Sequence, residues 1–131
     1  MDEKVILLDT DVLISLAKGH KQTLTWFETQ HNVTFAISSV SLFELYLGAF
    51  GRLGKKHLTF IDSLCTFCTV IELTFNDMRV AAQISAELQK QGRSLNYRDI
   101  FIATAALKEE IPIKTGNITH YSRIPKITIC E

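Results

Sequence analysis

No stretch of this chain comes near the ~18 consecutive apolar residues that a membrane-crossing helix needs. A surplus of charge is missing too: fourteen Lys and Arg stand against fourteen Asp and Glu, for a formal net charge of zero. That balance argues against indiscriminate binding to nucleic acid, which usually rests on a basic excess, although it leaves a local basic face open. Internal repeats, low-complexity segments and linker-like runs are absent. The start, Met1-Asp2-Glu3-Lys4, is mixed in charge and followed by only a short apolar run, unlike a secretory leader, so the expected location is the cytoplasm, with no membrane partner. With 131 residues, 47% of them hydrophobic, the expectation is a single domain spanning 1–131 around one sizeable core.

Cysteine and histidine give little. Three cysteines are an odd number and do not make a complete disulfide framework. Cys65 and Cys68 form a lone CxxC with only Cys130 besides, whereas a structural zinc site calls for a second pair or for histidines at ligand spacing. The four histidines are scattered. A redox CxxC opens a helix after a strand, while this one closes a helix-like segment. The pair reads as small apolar residues of the core.

What the chain does have is a stretch that organises the rest, Val5-Ile6-Leu7-Leu8-Asp9-Thr10-Asp11-Val12-Leu13-Ile14. Four apolar residues without alternation read as a strand buried on both faces, as in a parallel sheet. Asp9 then stands at its carboxyl end, where open α/β sheets bind ligands. Asp11 is the expected cap of a first helix through Leu16 and Ala17, and Thr23 to Gln30 a second helical piece. Strands are expected over Thr34–Ser38, Thr69–Thr74, Ile111–Lys114 and Lys126–Cys130. Helices are expected after Ser39 or Ser41 as far as Gly48, over Leu58–Cys68, from an Asn76 cap to a stop at Gly92, and over Arg98–Lys108. Val80, Ile84 and Leu88 should line the buried face of the longest helix. Strands alternating with helices argue a parallel sheet with helices on both faces. The Ala49–His57 segment, with Arg52, Lys55, Lys56 and His57, reads as a solvated connection, or alternatively as a basic patch for phosphates. Thr115 to Arg123 reads as a polar loop.

Three acids stand out. On a helix, Glu44 shares a face with Val40, Phe43 and Leu47, which would turn its charge toward the core. A buried carboxylate needs a cation or a proton, and a salt bridge would serve as well as a metal. Asp99 opens a helix that is otherwise apolar; it could simply answer the helix dipole, but it shares a face with Ile102, Ala103 and Ala106. Asp9, Glu44 and Asp99 together could be answered by one divalent cation, and all-oxygen ligation selects Mg²⁺ or Mn²⁺. Thr115 and Asn117 follow the fourth strand at the same edge, suited to a bound water or a phosphate oxygen, or to ordinary turn chemistry.

In four ordered pieces the sequence resembles the PIN-domain ribonucleases, especially the VapC-type toxins of VapBC toxin–antitoxin pairs. The pieces are Leu7 to Ile14, Ser38 to Gly48, Asp99 to Ala105, and Thr115-Gly116-Asn117. The resemblance implies a three-layer α/β/α sandwich with about five parallel strands, and it lays Asp9, Glu44 and Asp99 on the family's metal-binding positions. Where members often carry a fourth acid, this chain has Asn117, and Asp11 falls on a variable position. The implied activity is metal-dependent hydrolysis of RNA phosphodiester bonds, leaving a 5′-phosphate, with Thr115 and Asn117 positioning the attacking water. Arg52, Lys55, Lys56, Arg93 and Arg98 are candidate contacts to the RNA backbone. The implied partners are RNA, a small antitoxin protein and a second copy of the chain; Trp26, Phe27, Tyr46 and Phe50 are candidate apolar contacts or core residues. Two rivals compete. Asp9-Thr10-Asp11-Val12 also fits the opening motif of haloacid-dehalogenase-type phosphatases, with Asp9 as nucleophile, Asp11 as acid/base and Lys114 as their lysine. The other is a PIN-like interaction module whose metal site is degenerate.

Overall fold

The computed structural model describes residues 4–131; Met1, Asp2 and Glu3, at the mixed-charge start, lie outside the described residues. The chain runs β1 (Lys4–Leu8), α1 (Thr10–Ala17), α2 (Lys21–Glu28), β2 (Val33–Ser38), α3 (Ser39–Ala49), a 3₁₀ turn (Lys55–His57), α4 (Leu58–Phe67), β3 (Thr69–Ile71), α5 (Phe75–Lys90), α6 (Tyr97–Glu109), β4 (Ile113–Lys114) and α7 (Ile118–Tyr121). The strands form one parallel sheet in the order β3-β2-β1-β4. Successive side chains of a strand point to opposite faces, and β1 uses both. Leu7 packs with Ala36, Ile100 and Ala103 on the α5/α6 side, while Ile6 and Leu8 pack with Leu13, Leu45 and Ile61 on the side of α1, α3 and α4. Helices therefore cover both faces, as the three-layer α/β/α expectation requires.

Among the described residues the sheet has four strands rather than five. Lys126–Cys130 does not form a strand; Ile129 alone bridges Ile113, in parallel. Pro125 precedes Lys126, which takes a left-handed φ of 67°, and that turn leaves only two ladder bonds, Ile113 N to Thr128 O at 2.9 Å and Cys130 N to Ile113 O at 2.8 Å. β3 ends at Ile71, short of the expected Thr74, because Thr74 is drawn into a capping box. Its hydroxyl accepts from Asp77 N while the Asp77 carboxylate accepts from Thr74 N. Thr74, and not Asn76, is thus the cap of α5. Lys108 donates to the same carboxylate at 2.8 Å, and this hydrogen bond holds the Asp77 carboxyl below its usual range.

Two helices are rotated from their expected phase. On α3, Phe43 and Leu47 are 66% and 63% exposed, and Ser41, Leu45 and Ala49 face the core instead. Ser38 fixes this phase by capping the helix and accepting from Ser41 N at 3.1 Å. On α5, Val80 is turned outward, while Ala81 and Leu88 are buried with Ile84 against them. Trp26 and Phe27 pack edge to face at 5.0 Å and meet Phe35, as core residues do; Phe50 is exposed. The cysteines are free. Cys68 is half-buried, and burial pushes its thiol up to about 11, so it stays protonated and inert; Cys65, expected in the core, is exposed. No helix among the described residues is long and apolar enough to cross a membrane.

Candidate active site

From β1 the chain proceeds to β2 on one side, and β4 returns on the other. The strand order reverses between β1 and β4, the place where open parallel sheets leave a crevice for ligands. Asp9 follows β1 and Thr115 follows β4, so both stand at the rim of that crevice, tied by the bond from Asp9 N to Lys114 O at 2.9 Å.

Asp9, and not Asp11, caps α1. Its Oδ1 accepts from Thr10 N at 2.8 Å and from the Tyr121 hydroxyl at 3.1 Å, and its Oδ2 accepts from the Thr115 hydroxyl at 2.7 Å. The residue is 5% exposed. Burial, opposed by the Thr115 hydrogen bond and reinforced by the negative charge of Asp11, pushes its carboxyl up to about 7. Asp99 sits in the first turn of α6, its backbone N–H donating to the Asn96 cap at 2.9 Å. Its Oδ2 accepts from Asn96 Nδ2 at 3.2 Å and lies 3.3 Å from His120 Nδ1, and its Oδ1 lies 3.4 Å from the Tyr121 hydroxyl.

Tyr121 thus touches both acids. It is fully buried, and burial together with the two carboxylates raises its phenol far above the ordinary range. Its single proton cannot satisfy two carboxylates at once. Among the described residues no Lys or Arg side chain pairs with Asp9 or Asp99, and the group beside them that can carry a positive charge is the imidazole of His120, next to Asp99.

Glu44 stands one hydroxyl away. Thr10 Oγ1 donates to Glu44 Oε1 at 2.7 Å and lies 2.9 Å from Ser41 Oγ. The other carboxylate oxygen pairs with Arg98 Nη1 at 2.9 Å; the Glu44 side chain is 15% exposed and that of Arg98 66%. The cation that Glu44 needed is therefore an arginine at the rim. Among the described residues, no three of His, Cys, Asp and Glu stand close enough together to hold a metal ion in this arrangement. Asp9 and Asp99 are brought together, and Glu44 is joined to Asp9 through Thr10.

Thr115 faces Asp9 directly. Asn117 supports it from behind, its backbone N–H donating to Thr115 Oγ1 at 2.9 Å, while its amide nitrogen lies 2.8 Å from His120 Nδ1. If that amide donates, the imidazole nitrogen accepts and cannot also donate to Asp99. Gly116 lets the loop pass close to α1, since a Cβ there would lie 3.0 Å from Asp11 Oδ2. Tyr121 and His120 were not singled out in the sequence, because the segment from Thr115 read as a polar loop and its helical turn, α7, is four residues long. The one available signal was a lone aromatic residue in a polar stretch.

The phosphatase geometry is not met. Lys114 Nζ is taken by the carbonyl of Glu131 at 3.1 Å and lies 4.7 Å from the centre of the Trp26 ring, and both oxygens of Asp9 are held by donors. The chain belongs to the PIN-domain family, whose profile matches residues 6–126. It is similar to Ribonuclease VapC of Rickettsia bellii, with 26% identity over 129 residues, covering 95% of this chain and 93% of that protein. It is also similar to Ribonuclease VapC3 of Methanocaldococcus jannaschii, with 32% identity over 100 residues, covering 75% of this chain and 94% of that one. Among solved structures, DNA-bound VapBC from Salmonella typhimurium superposes with a TM-score of 0.82 at 25% identity, covering 98% of each chain.

Proposed function

We propose that this chain is a VapC-type ribonuclease, the toxin of a toxin–antitoxin pair, which hydrolyses RNA phosphodiester bonds with the help of Mg²⁺ or Mn²⁺. The observation that carries the reading is the pair of buried acids, Asp9 and Asp99, sharing one tyrosine hydroxyl with no Lys or Arg beside them among the described residues, in a chain whose relatives bear the name Ribonuclease VapC.

The donor set suits a hard cation. Carboxylate and hydroxyl oxygens dominate, as Mg²⁺ and Mn²⁺ prefer, and Asp9 is an acid that burial and Asp11 make reluctant to ionise. Asp9 and Asp99 would hold the ion, with Glu44 as third ligand. The Glu44–Arg98 pair is no obstacle, because an ion pair with so exposed a partner is worth at most ~1 kcal/mol. When bound, the ion supplies Lewis-acid polarisation of a phosphodiester oxygen and a lowered pKa for water. The chain's own residues do the positioning. Thr115 fixes Asp9 Oδ2, Asn117 N fixes the Thr115 hydroxyl, and Arg98, paired with Glu44 at the rim, would be released toward a phosphate when Glu44 turns to the ion. The proposed partners are RNA, a small antitoxin protein and a second copy of the chain, in the cytoplasm.

The test is incubation of purified chain with mixed RNA in Mg²⁺, Mn²⁺ or EDTA. Internal cleavage with 5′-phosphate ends is expected with either metal and none with EDTA. Undiminished cleavage in EDTA would refute the proposal, and Mn²⁺ binding with no RNA cut would leave the interaction module. Tyr121 gives a second test. Loss of a side chain that orients metal ligands typically weakens affinity 10- to 100-fold, so Tyr121→Phe should raise the Mn²⁺ Kd about tenfold while leaving the fold intact. An unchanged Kd would assign the hydroxyl to packing alone.

A further inference from the structure

Between α1 and the segment running from α3 into the 3₁₀ turn lies a cleft of about 360 Å³. Its floor is apolar, with Ile14, Leu45 and Leu53; its remaining lining includes Lys18, Arg52, Lys56 and His57; and Glu44 lines it too. Lys18, Arg52 and Lys56 are exposed. Among the described residues none of the three lies within ion-pair distance of a carboxylate, whereas Arg98 and Lys108 are closed on Glu44 and Asp77. A chain of zero net charge therefore gathers three unpaired cations around one opening. They come from distant parts of the sequence: Lys18 follows α1, while Arg52 and Lys56 belong to the segment read above as a solvated connection.

Glu44 belongs both to this cleft and to the acid site, since Thr10, the neighbour of Asp9, donates to it. A strand whose reacting phosphate sits at Asp9 and Asp99 has to leave past one of the flanking acids, and on the Glu44 side it meets this opening. Cations around an apolar floor match a nucleic-acid strand, with phosphates on the charges and riboses and bases over Ile14 and Leu53. We propose that the cleft is the track for the single-stranded RNA flanking the cut, with Lys18, Arg52 and Lys56 each taking a backbone phosphate. This rests on the nuclease reading of the neighbouring acids.

The test separates the two. Binding of a labelled single-stranded RNA 12-mer is measured by fluorescence anisotropy across a series of KCl concentrations, in the Asp9→Asn background so that cleavage plays no part. Each phosphate contact contributes about −0.7 to the slope of log K against log salt on a single strand. Lys18→Gln/Arg52→Gln/Lys56→Gln should therefore weaken binding at least tenfold near 100 mM salt and make the slope shallower by about 2. Lys90→Gln, which removes one positive charge at the end of α5 on the opposite side of the sheet and so matches each single variant in charge, should match the parent. Should the triple variant melt early, Arg52→Gln and Lys56→Gln singly carry the test, each at about 0.7 of slope. A triple variant indistinguishable from Lys90→Gln overturns the proposal. So does one that keeps RNA affinity while losing affinity for an oligo-glutamate peptide, which would assign the cleft to an acidic protein partner. Cleavage by Asp9→Asn itself, seen on a gel, would instead strike the assignment of catalysis to the neighbouring acids and leave the binding result to stand.

Discussion

Asp9→Asn is expected to lower RNA cleavage by about a thousandfold and, in the same protein, to raise the melting temperature measured in EDTA. The first effect follows from what a metal supplies to phosphodiester hydrolysis: several kcal/mol of charge stabilisation in the transition state, at 1.36 kcal/mol per factor of ten. The second follows from the position of the carboxylate. Asp9 is buried, beside Asp11, and shares a hydroxyl with Asp99. Asparagine keeps nearly the same shape and can still accept from Thr10 N, but it brings no charge into this crowd. A gain in stability paired with a loss of activity is the mark of a site whose strained electrostatics serve function, and it separates lost chemistry from lost folding. A variant that melts early, or one that cleaves at the parental rate, would contradict the assignment.

The second large effect is on pH. In the folded chain the Asp9 carboxyl keeps its proton up to about 7, against the usual 3.8. Between those values the folded state binds more protons than the unfolded one, so stability falls as pH rises through that window. A shift of this size corresponds to a few kcal/mol on the order-of-magnitude scale of ~1.4 per unit. Metal-free chain should therefore melt markedly lower at pH 8 than at pH 5. Asp77 acts in the opposite sense: its carboxyl is lowered, so the stability it contributes is lost only as the medium becomes more acid than its usual range. Asp9→Asn should flatten the slope between pH 5 and 8, and saturating Mn²⁺ should reverse it, since the ion binds the ionised carboxylate. Equal melting temperatures at pH 5 and pH 8 in EDTA would show that Asp9 ionises without penalty.

The elements legible in the sequence are those whose local pattern and tertiary fate agree. β1 is four apolar residues ending in an acid, and it is the buried centre of the sheet with Asp9 at its rim. α6 is apolar nearly all round and is buried from Ile102 to Ala106. The phase of α3 was hidden because Leu42, Phe43, Leu45, Tyr46 and Leu47 leave little polar face to orient the helix; the polar Ser41, set against Thr10, decided it. β3 looked longer than it is, since strand-forming residues continue into Thr74, which then serves the next helix. Of the site, the acids were visible as acids, but their partners were not. Tyr121 meets Asp9 across 112 positions, and Arg98 meets Glu44 across 54. Such pairings are made by the crossing of β4 beside β1 and of α6 beside α3, and no local pattern announces them.

The central claim is that Asp9 and Asp99 bind one divalent cation, and electron paramagnetic resonance of Mn²⁺ titrated into parent and variant reads it most directly. The parent should take up the ion, and Asp9→Asn and Asp99→Asn should each lose that uptake while remaining folded. Parental affinity in both variants would mean that the metal, if it binds, binds elsewhere, and that the two acids serve the fold alone.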